Sequence, residues 1–178
     1  PFCYHIDQFE SLRPVFMKVI EYANAMGLDM IQGDHEDAPG QLELNWTFDN
    51  VMRNADRLST YRQICAQVAR EHGLIACFMT KPFMGVSASG CHTNMSLWKG
   101  GKVSVNKLGH KSLPGVEEVF SYVSGGKNTF MPDTKDPQLP GKIGLQSIAG
   151  IMKHLPALTA LGSSTVNSYR RLWDQGFW

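Results

Sequence analysis

Apolar residues recur at helical spacing in three segments of this chain, and a glycine follows each of them. The segments cover residues 9–26, 50–72 and 143–161. This period, together with the glycine stop signals, predicts three helices. We expect Pro14 near the first turn of the first helix, where a missing N–H is tolerated. The predicted inner face of the second helix carries Val51, Ala55, Leu58, Ile64, Val68 and Ala69.

Two strands are predicted between the first two helices, over residues 28–35 and 41–48. The second strand alternates polar and apolar residues, and residues 37–40 between the strands are typical of a turn. An antiparallel hairpin follows from this order. In such a hairpin Glu43 lies on the polar face, and Glu36 lies at the end of the facing strand.

The rest of the chain gives shorter patterns. Residues 74–79 and 91–99 predict strands, and the small residues 85–90 predict a loop that allows close backbone approach to a ligand. Residues 100–142 are rich in Gly, Pro, Lys and Asp, which predicts a long loop with a short helix at 116–123. Helices that alternate with hairpin-like strands favour an α+β or mixed α/β fold.

The 178 residues are 43% hydrophobic, which is enough for one compact core. A net charge of +1 gives no basic field, so we expect no nucleic-acid binding. No apolar run reaches the roughly 18–20 residues of a membrane span, and no signal peptide is visible. The chain begins at Pro1 without Met and ends at Trp178 without a polar tail, so we expect it to be part of a longer protein.

The four cysteines show no Cys-x-x-Cys spacing, so we expect reduced thiols in a cytoplasmic protein. Cys65 and Cys77 are expected to be buried structural residues. A zinc site at Cys91 and His92 is disfavoured, because adjacent residues of a strand point to opposite faces.

Ionisable side chains cluster around the predicted hairpin turn: Asp34, His35, Glu36, Asp37 and Glu43. Two carboxylates that meet across a hairpin repel each other unless a cation or a base neutralises them. Hard oxygen ligands suit Mg²⁺ or Mn²⁺, often shared with phosphate. The alternative is a hairpin edge that is simply solvated.

Two further segments carry candidate groups. In the predicted strand after the small-residue loop, His92, Asn94 and Ser96 fall on one face, which indicates a lined site in which His92 ligates a metal or orients a phosphate. The alternative is a structural histidine. Near the C-terminus, Arg170 or Arg171 would make a bidentate contact with a carboxylate or phosphate, or would lie on the surface. Spacing does not choose between the two arginines.

Three motifs occur in order: a His-Glu…Pro-Gly-Gln-x-Glu stretch ending at Glu43, a Lys-Pro…Ser-Gly-x-His stretch ending at His92, and an Asn-Ser-Tyr-Arg-Arg stretch ending at Arg171. Together they resemble the catalytic domain of the glutamine synthetase family, over nearly the whole chain. The Asp-His-Glu-Asp-Ala…Gly-Gln form resembles the branch that includes γ-glutamylmethylamide synthetase. The resemblance implies an α+β fold with a mostly antiparallel curved sheet flanked by helices.

The resemblance also implies roles for individual residues. Glu36, Glu43 and His92 match metal ligands, and Glu36 and Arg171 are the implied catalytic residues. The implied substrate contacts are Ser87, Ala88, His92 and Arg171 for glutamate, and Phe48, Asn94 and Ser96 for ATP. Ser87 and Ala88 stand where the family has Asn-Gly, and the backbone contact of the second position carries over.

The implied reaction uses ATP and two or three Mg²⁺ or Mn²⁺ ions per complete site. Glutamate attacks ATP to give a γ-glutamyl phosphate, and ammonia or a small amine then displaces phosphate. The implied assembly is a homododecamer with active sites between subunits. The family's N-terminal β-grasp domain, an early metal-binding strand and the C-terminal part of the catalytic domain have no counterpart in these residues. We therefore expect the 178-residue chain to be inactive alone.

Residues 173–178 bear on the identity of the acceptor amine, for which there are two possibilities. The family has a flexible loop here, with a glutamate that closes over ammonium. Phe177 or Trp178 at that place would pack against an alkyl group, so methylamine, ethanolamine or a polyamine is the alternative acceptor.

Two hypotheses lie outside the ligase class. The first is a non-catalytic glutamine synthetase-like oligomer, which the retained Glu36, Glu43, His92 and Arg171 disfavour. The second is a creatine kinase-like phosphotransferase, which shares the phosphoryl chemistry but not these motifs.

Overall fold

The computed structural model describes residues 3–100, 102–106, 120–124, 126–132 and 137–173, the second and third of these ranges by their backbone alone. Four α-helices and six short strands follow one another in these ranges. The α+β fold expected from the sequence is confirmed.

The first half of the chain is a helix–hairpin–helix unit. Helix α1 spans Ile6–Ala25, strands β1 and β2 span Met30–His35 and Leu42–Trp46, and helix α2 spans Val51–Glu71. The two strands pair antiparallel, as the alternation predicts. Helix α2 begins at a side-chain cap, because the Asn50 side chain accepts a hydrogen bond from the backbone N–H of Arg53 at 3.0 Å.

Both helices pack on one face of the hairpin and form the core. The buried core residues are Val19, Ala23, Leu28, Ile64 and Val68, and Val15, Tyr22, Met30, Leu44, Tyr61 and Cys65 pack against them. Helix α1 approaches the hairpin closely at Gly33, where a Cβ atom would overlap the ring of Phe16. The opposite face of the hairpin is therefore left for polar groups.

Helix α1 begins earlier than the sequence pattern indicates, so Pro14 lies in its interior and the expectation of a first-turn position is wrong. A proline in a helix interior lacks the N–H that would bond to the carbonyl four residues earlier. The helix persists because Phe16, Val19 and Ala23 bury its inner face against the hairpin. Tertiary packing thus outweighs the local cost of the proline.

The N-terminal half of helix α2 buries charge where apolar contacts were predicted. Val51 and Ala55 are exposed, and the buried residue of these turns is Arg57. Its guanidinium lies 3.2 Å from the Asp49 carboxylate and donates to the backbone carbonyl of Thr47 at 3.2 Å. Pairing and hydrogen bonding allow this charge to be buried.

Four short strands lie beyond the first unit. Strand β3 (Trp98–Lys99) pairs with β6 (Lys127–Asn128), and β4 (Lys102–Asn106) pairs with β5 (Phe120–Ser124), both antiparallel. In the part of the chain that the structure covers, the sheets are three separate strand pairs. The curvature of a larger sheet is therefore not seen in these ranges.

Two helices end the described chain. Helix α3 spans Lys142–Gly162, as predicted to within one residue at either end, and helix α4 spans Val166–Trp173. Helix α3 is apolar but largely exposed, and Gly144 is its buried residue. Within the described ranges, no helix combines the length and apolar character that crossing a membrane requires.

Several local predictions are wrong. Residues 74–79 and 91–97 form no strand. Residues 120–123 of the predicted short helix belong to strand β5, and the rest of it lies outside the described residues. Cys77 is exposed and Cys65 is half-buried, so neither matches the fully buried expectation; both are free thiols.

Candidate functional site

The β1–β2 hairpin gathers carboxyl groups on its polar face. In the strand register Asp34 lies opposite Glu43, and the Glu36 N–H continues the pairing by donating to the Gln41 carbonyl at 2.9 Å. Residues directly opposite each other in an antiparallel pair share a face, so these acids lie together. His35 alternates to the other face and is buried, so it leaves the predicted acidic cluster.

Glu36 and Glu43 lie close enough on this face for the charge of one carboxylate to act on the other. Burial raises the pKa of the Glu36 carboxyl, and the charge of Glu43 raises it further. Burial and a neighbouring negative charge both disfavour the ionised form of a carboxyl group. A divalent cation that accepts hard oxygen ligands would neutralise this pair, so the donor set fits Mg²⁺ or Mn²⁺.

Tyr4 also belongs to this acidic face, although nothing in the sequence pointed to it. Its N–H donates to the carbonyl of His35 at 3.1 Å, with its own backbone in the left-handed region at φ 56°. The pKa of the Tyr4 phenol is raised, first by the charge of Glu36. Tyr4 precedes the first periodic segment, so no pattern in the sequence connects it to the hairpin.

The small-residue loop packs against the tip of the hairpin. The Ser87 hydroxyl donates to the Asp37 carboxylate, and the Gln41 side-chain amide donates to the Ala88 carbonyl at 3.0 Å. Ser87 and Ala88, the two residues assigned to glutamate binding, are thus brought beside the strand end that carries Glu36. The structure places these parts of the predicted site together.

Helix α4 is bonded to residues 80 and 81, just before the small-residue loop, through the side chain of Asn167. Its side-chain oxygen accepts from the Lys81 N–H at 2.7 Å and from the Thr80 hydroxyl at 3.0 Å, and its side-chain amide donates to the Lys81 carbonyl at 2.6 Å. Lys81 is itself buried, and its ammonium group donates to the Val86 carbonyl at 2.5 Å. These contacts fix the helix that carries Arg171, whose side chain is exposed.

The segment around His92 is placed differently from the prediction. Because residues 91–97 are not a strand, the expectation that His92, Asn94 and Ser96 share one strand face is wrong. All three are exposed, and Ser96 accepts a hydrogen bond from the Trp98 indole at 2.9 Å. Among the described residues, no three His, Cys, Asp or Glu side chains are arranged to hold a metal ion, so His92 and Cys91 join no such set.

Phe48, the residue assigned to adenine, follows strand β2 with 75% of its surface exposed. The next residue, Asp49, holds Arg57 by an ion pair, which fixes the backbone behind the ring. An exposed aromatic ring on a fixed backbone has a free face for stacking.

Comparisons of the sequence with known proteins give matches over nearly the whole chain. The family model described as glutamine synthetase, catalytic domain, matches residues 2–126 and 115–178. The chain is 37% identical over 171 residues to a glutamine synthetase of Rhizobium leguminosarum bv. phaseoli, which covers 96% of this chain and 34% of that protein. It is 32% identical over 172 residues to a glutamate–methylamine ligase of Methyloversatilis universalis, covering 96% and 33%.

Solved structures give the same result. Ligand-free GmaS superimposes with a TM-score of 0.75 at 30% sequence identity, over 96% of this chain and 34% of that one. A GmaS complex with ADP has the same TM-score over 97% of this chain. The chain therefore spans about a third of the length of the relatives it matches.

Proposed function

Because this chain belongs to the glutamine synthetase catalytic-domain family, we propose that it is part of an ATP-dependent ligase that joins ammonia to the γ-carboxyl of glutamate. The carboxyl pair of Glu36 and Glu43 beside the Ser87–Ala88 loop is the observation that supports this function best. It offers negative charge for a cation and for an amine next to a loop suited to a carboxylate substrate.

Glu36 and Glu43 would hold one divalent cation, and His92 would hold a second together with groups from the rest of the protein. The complete site would contain two or three such ions. Bound Mg²⁺ or Mn²⁺ would supply neutralisation of phosphate charge in this site. The acidic face would bind the incoming amine as a cation or accept its proton, a role that the raised pKa of Glu36 supports.

The substrates would lie on either side of the small-residue loop. Glutamate would contact Ser87, Ala88 and His92, with Arg171 on its carboxylate by a bidentate contact. ATP would stack its adenine on Phe48 and contact Asn94 and Ser96. The γ-carboxylate of glutamate would attack the terminal phosphorus of ATP and release ADP, and the amine nitrogen would then attack the γ-carbonyl and release phosphate.

An organic amine is the second candidate acceptor. The glutamate–methylamine ligase of Methyloversatilis universalis is among the relatives, and its 32% identity is close to that of several glutamine synthetases. The aromatic residues 177 and 178, in place of the family's glutamate, support an alkyl-bearing acceptor as well.

The relatives are about three times as long as this chain. We propose that an N-terminal β-grasp domain and further catalytic-domain segments complete the site in the whole protein, and that the 178 residues are inactive by themselves. The whole protein would be a cytoplasmic homododecamer with active sites between subunits, a compartment that the free cysteines support.

A coupled ATPase assay on the full-length protein tests this function. Glutamate is supplied with ammonia, methylamine, ethanolamine or putrescine in turn. Highest turnover with ammonia identifies a glutamine synthetase, and preference for an organic amine identifies the second candidate. No glutamate-dependent turnover with any amine refutes the ligase and favours the non-catalytic oligomer. Glu43→Gln should abolish turnover, and Glu10→Gln, at an exposed surface position, should not.

A further inference from the structure

The tip of the β1–β2 hairpin and the small-residue loop are joined by hydrogen bonds centred on Gln41, a side chain to which the proposed reaction gives no role. The Gln41 side chain bridges the two: its oxygen accepts from the Ala38 N–H at 3.1 Å, and its amide donates to the Ala88 carbonyl at 3.0 Å and to the Ser89 hydroxyl at 3.4 Å. Alongside it, Asp37 accepts from Ser87. We call these contacts the tip clasp.

The loop takes its course from a small set of contacts. Residues 87–90 belong to no helix or strand, and the Ser89 N–H donates to the Thr80 carbonyl at 2.8 Å. The clasp residues Gln41, Ser87 and Ala88 are all half-buried, so water replaces a broken clasp bond only in part. A loop of small side chains outside regular structure takes its position from the surface to which it is bonded.

We propose that Gln41 is a positioning residue, which sets the Ser87–Ser89 backbone at the distance from the hairpin that binding of the amino-acid substrate requires. This inference rests on the proposed function for the identity of that substrate, glutamate. Gln41 itself does not touch the reacting atoms. Because the Ser87 hydroxyl donates its hydrogen bond to Asp37, the loop contacts glutamate through backbone groups, and their placement decides affinity.

Two substitutions separate the contributions of the oxygen and the nitrogen of the Gln41 side-chain amide. Gln41→Leu removes both hydrogen-bonding ends at nearly constant size. Gln41→Glu keeps an acceptor for the Ala38 N–H but puts a carboxylate oxygen against the Ala88 carbonyl, so of the Gln41 contacts it removes the bond to Ala88. Gln63→Leu, at an exposed position of helix α2, is the matched control for the substitution itself.

Two measurements on the full-length protein test the proposal. Steady-state kinetics should show that Gln41→Leu and Gln41→Glu raise the KM for glutamate about tenfold, the effect of losing roughly one to two net hydrogen bonds. The KM for ATP should remain within about twofold, because the clasp contacts only the hairpin tip and the loop. Hydrogen–deuterium exchange should be faster in residues 82–91 of both variants than in Gln63→Leu.

The outcomes separate this inference from the proposed function. Equal rises in both KM values, wild-type behaviour of Gln41→Glu, or unchanged exchange in residues 82–91 would each overturn the positioning role. If the wild-type protein shows no glutamate-dependent turnover, the proposed function fails, and hydrogen exchange then decides the positioning role by itself.

Discussion

Helix α1 lies against the site hairpin at Gly33, and adding one methyl group there should be costly. A Cβ atom at this position would overlap the Phe16 ring and lie 2.7 Å from a methyl group of Leu44. Phe16 is 5% exposed and packs edge-on against Phe9, with ring centroids 4.8 Å apart, so its ring is held in place. Gly33→Ala should therefore reduce the free energy of unfolding by about 1–3 kcal/mol, as overpacking does.

Urea unfolding of the 178-residue chain, followed by circular dichroism, measures this loss. Gly150→Ala in helix α3 is the matched control, because a Cβ atom there has no neighbour within 4 Å. That variant should gain roughly 0.5–1 kcal/mol, since alanine is the better residue inside a helix. If Gly33→Ala were neutral or stabilising like Gly150→Ala, the packing of helix α1 on strand β1 would be wrong as described.

Two further substitutions and one labelling experiment test other parts of the molecule. Glu36→Gln removes one charge of the acidic pair, so it should raise the stability of the metal-free protein and lower Mn²⁺ affinity at least about tenfold by calorimetry, while Glu10→Gln changes neither. Burial raises the pKa of the Cys65 thiol to about 11, so iodoacetamide should label Cys65 after the other three cysteines at pH 8. The stability that the buried thiol contributes should be full below pH 9.0 and lost as pH rises towards 11. Early labelling of Cys65 would show that its thiol is accessible. Asn167→Ala removes the side chain that bonds both backbone groups of Lys81 and should cost about 1–3 kcal/mol, and urea unfolding that matches the wild type would show that water replaces these bonds.

Elements with long periodic patterns were predictable from the sequence. The three long helices and the β1–β2 hairpin have the expected type, because helical spacing and turn residues are local properties of the chain. The strand predictions for residues 74–79 and 91–97 were wrong. A strand forms only when it pairs with another strand, and a local sequence pattern does not identify that second strand. The same holds for Arg57, whose burial depends on the distant carbonyl groups of Gly27 and Thr47 and on Asp49.

The candidate site shows the same difference between residues predicted from local patterns and residues placed by long-range contacts. Glu36 and Glu43 were identified because a hairpin register follows from alternation, and the structure brings their carboxyl groups together. Tyr4 and the bridging role of Gln41 depend on contacts across the fold, and the second of these spans 47 positions of sequence. The prediction that His92, Asn94 and Ser96 share one face was wrong, because it depended on a strand that the structure does not contain at residues 91–97.

The anchorage of helix α4 by Asn167 bears on the order in which this region folds. It joins groups 86 positions apart, whereas the core around the hairpin forms from residues 15–68. Closing the longer loop costs more chain entropy, so we expect the hairpin core in the folding nucleus and helix α4 to dock afterwards. Asn167→Ala should then speed unfolding in stopped-flow experiments and leave the folding rate nearly unchanged, and the reverse would place helix α4 in the nucleus. During synthesis, the residues of the acidic face therefore leave the ribosome well before helix α4, which carries Arg171.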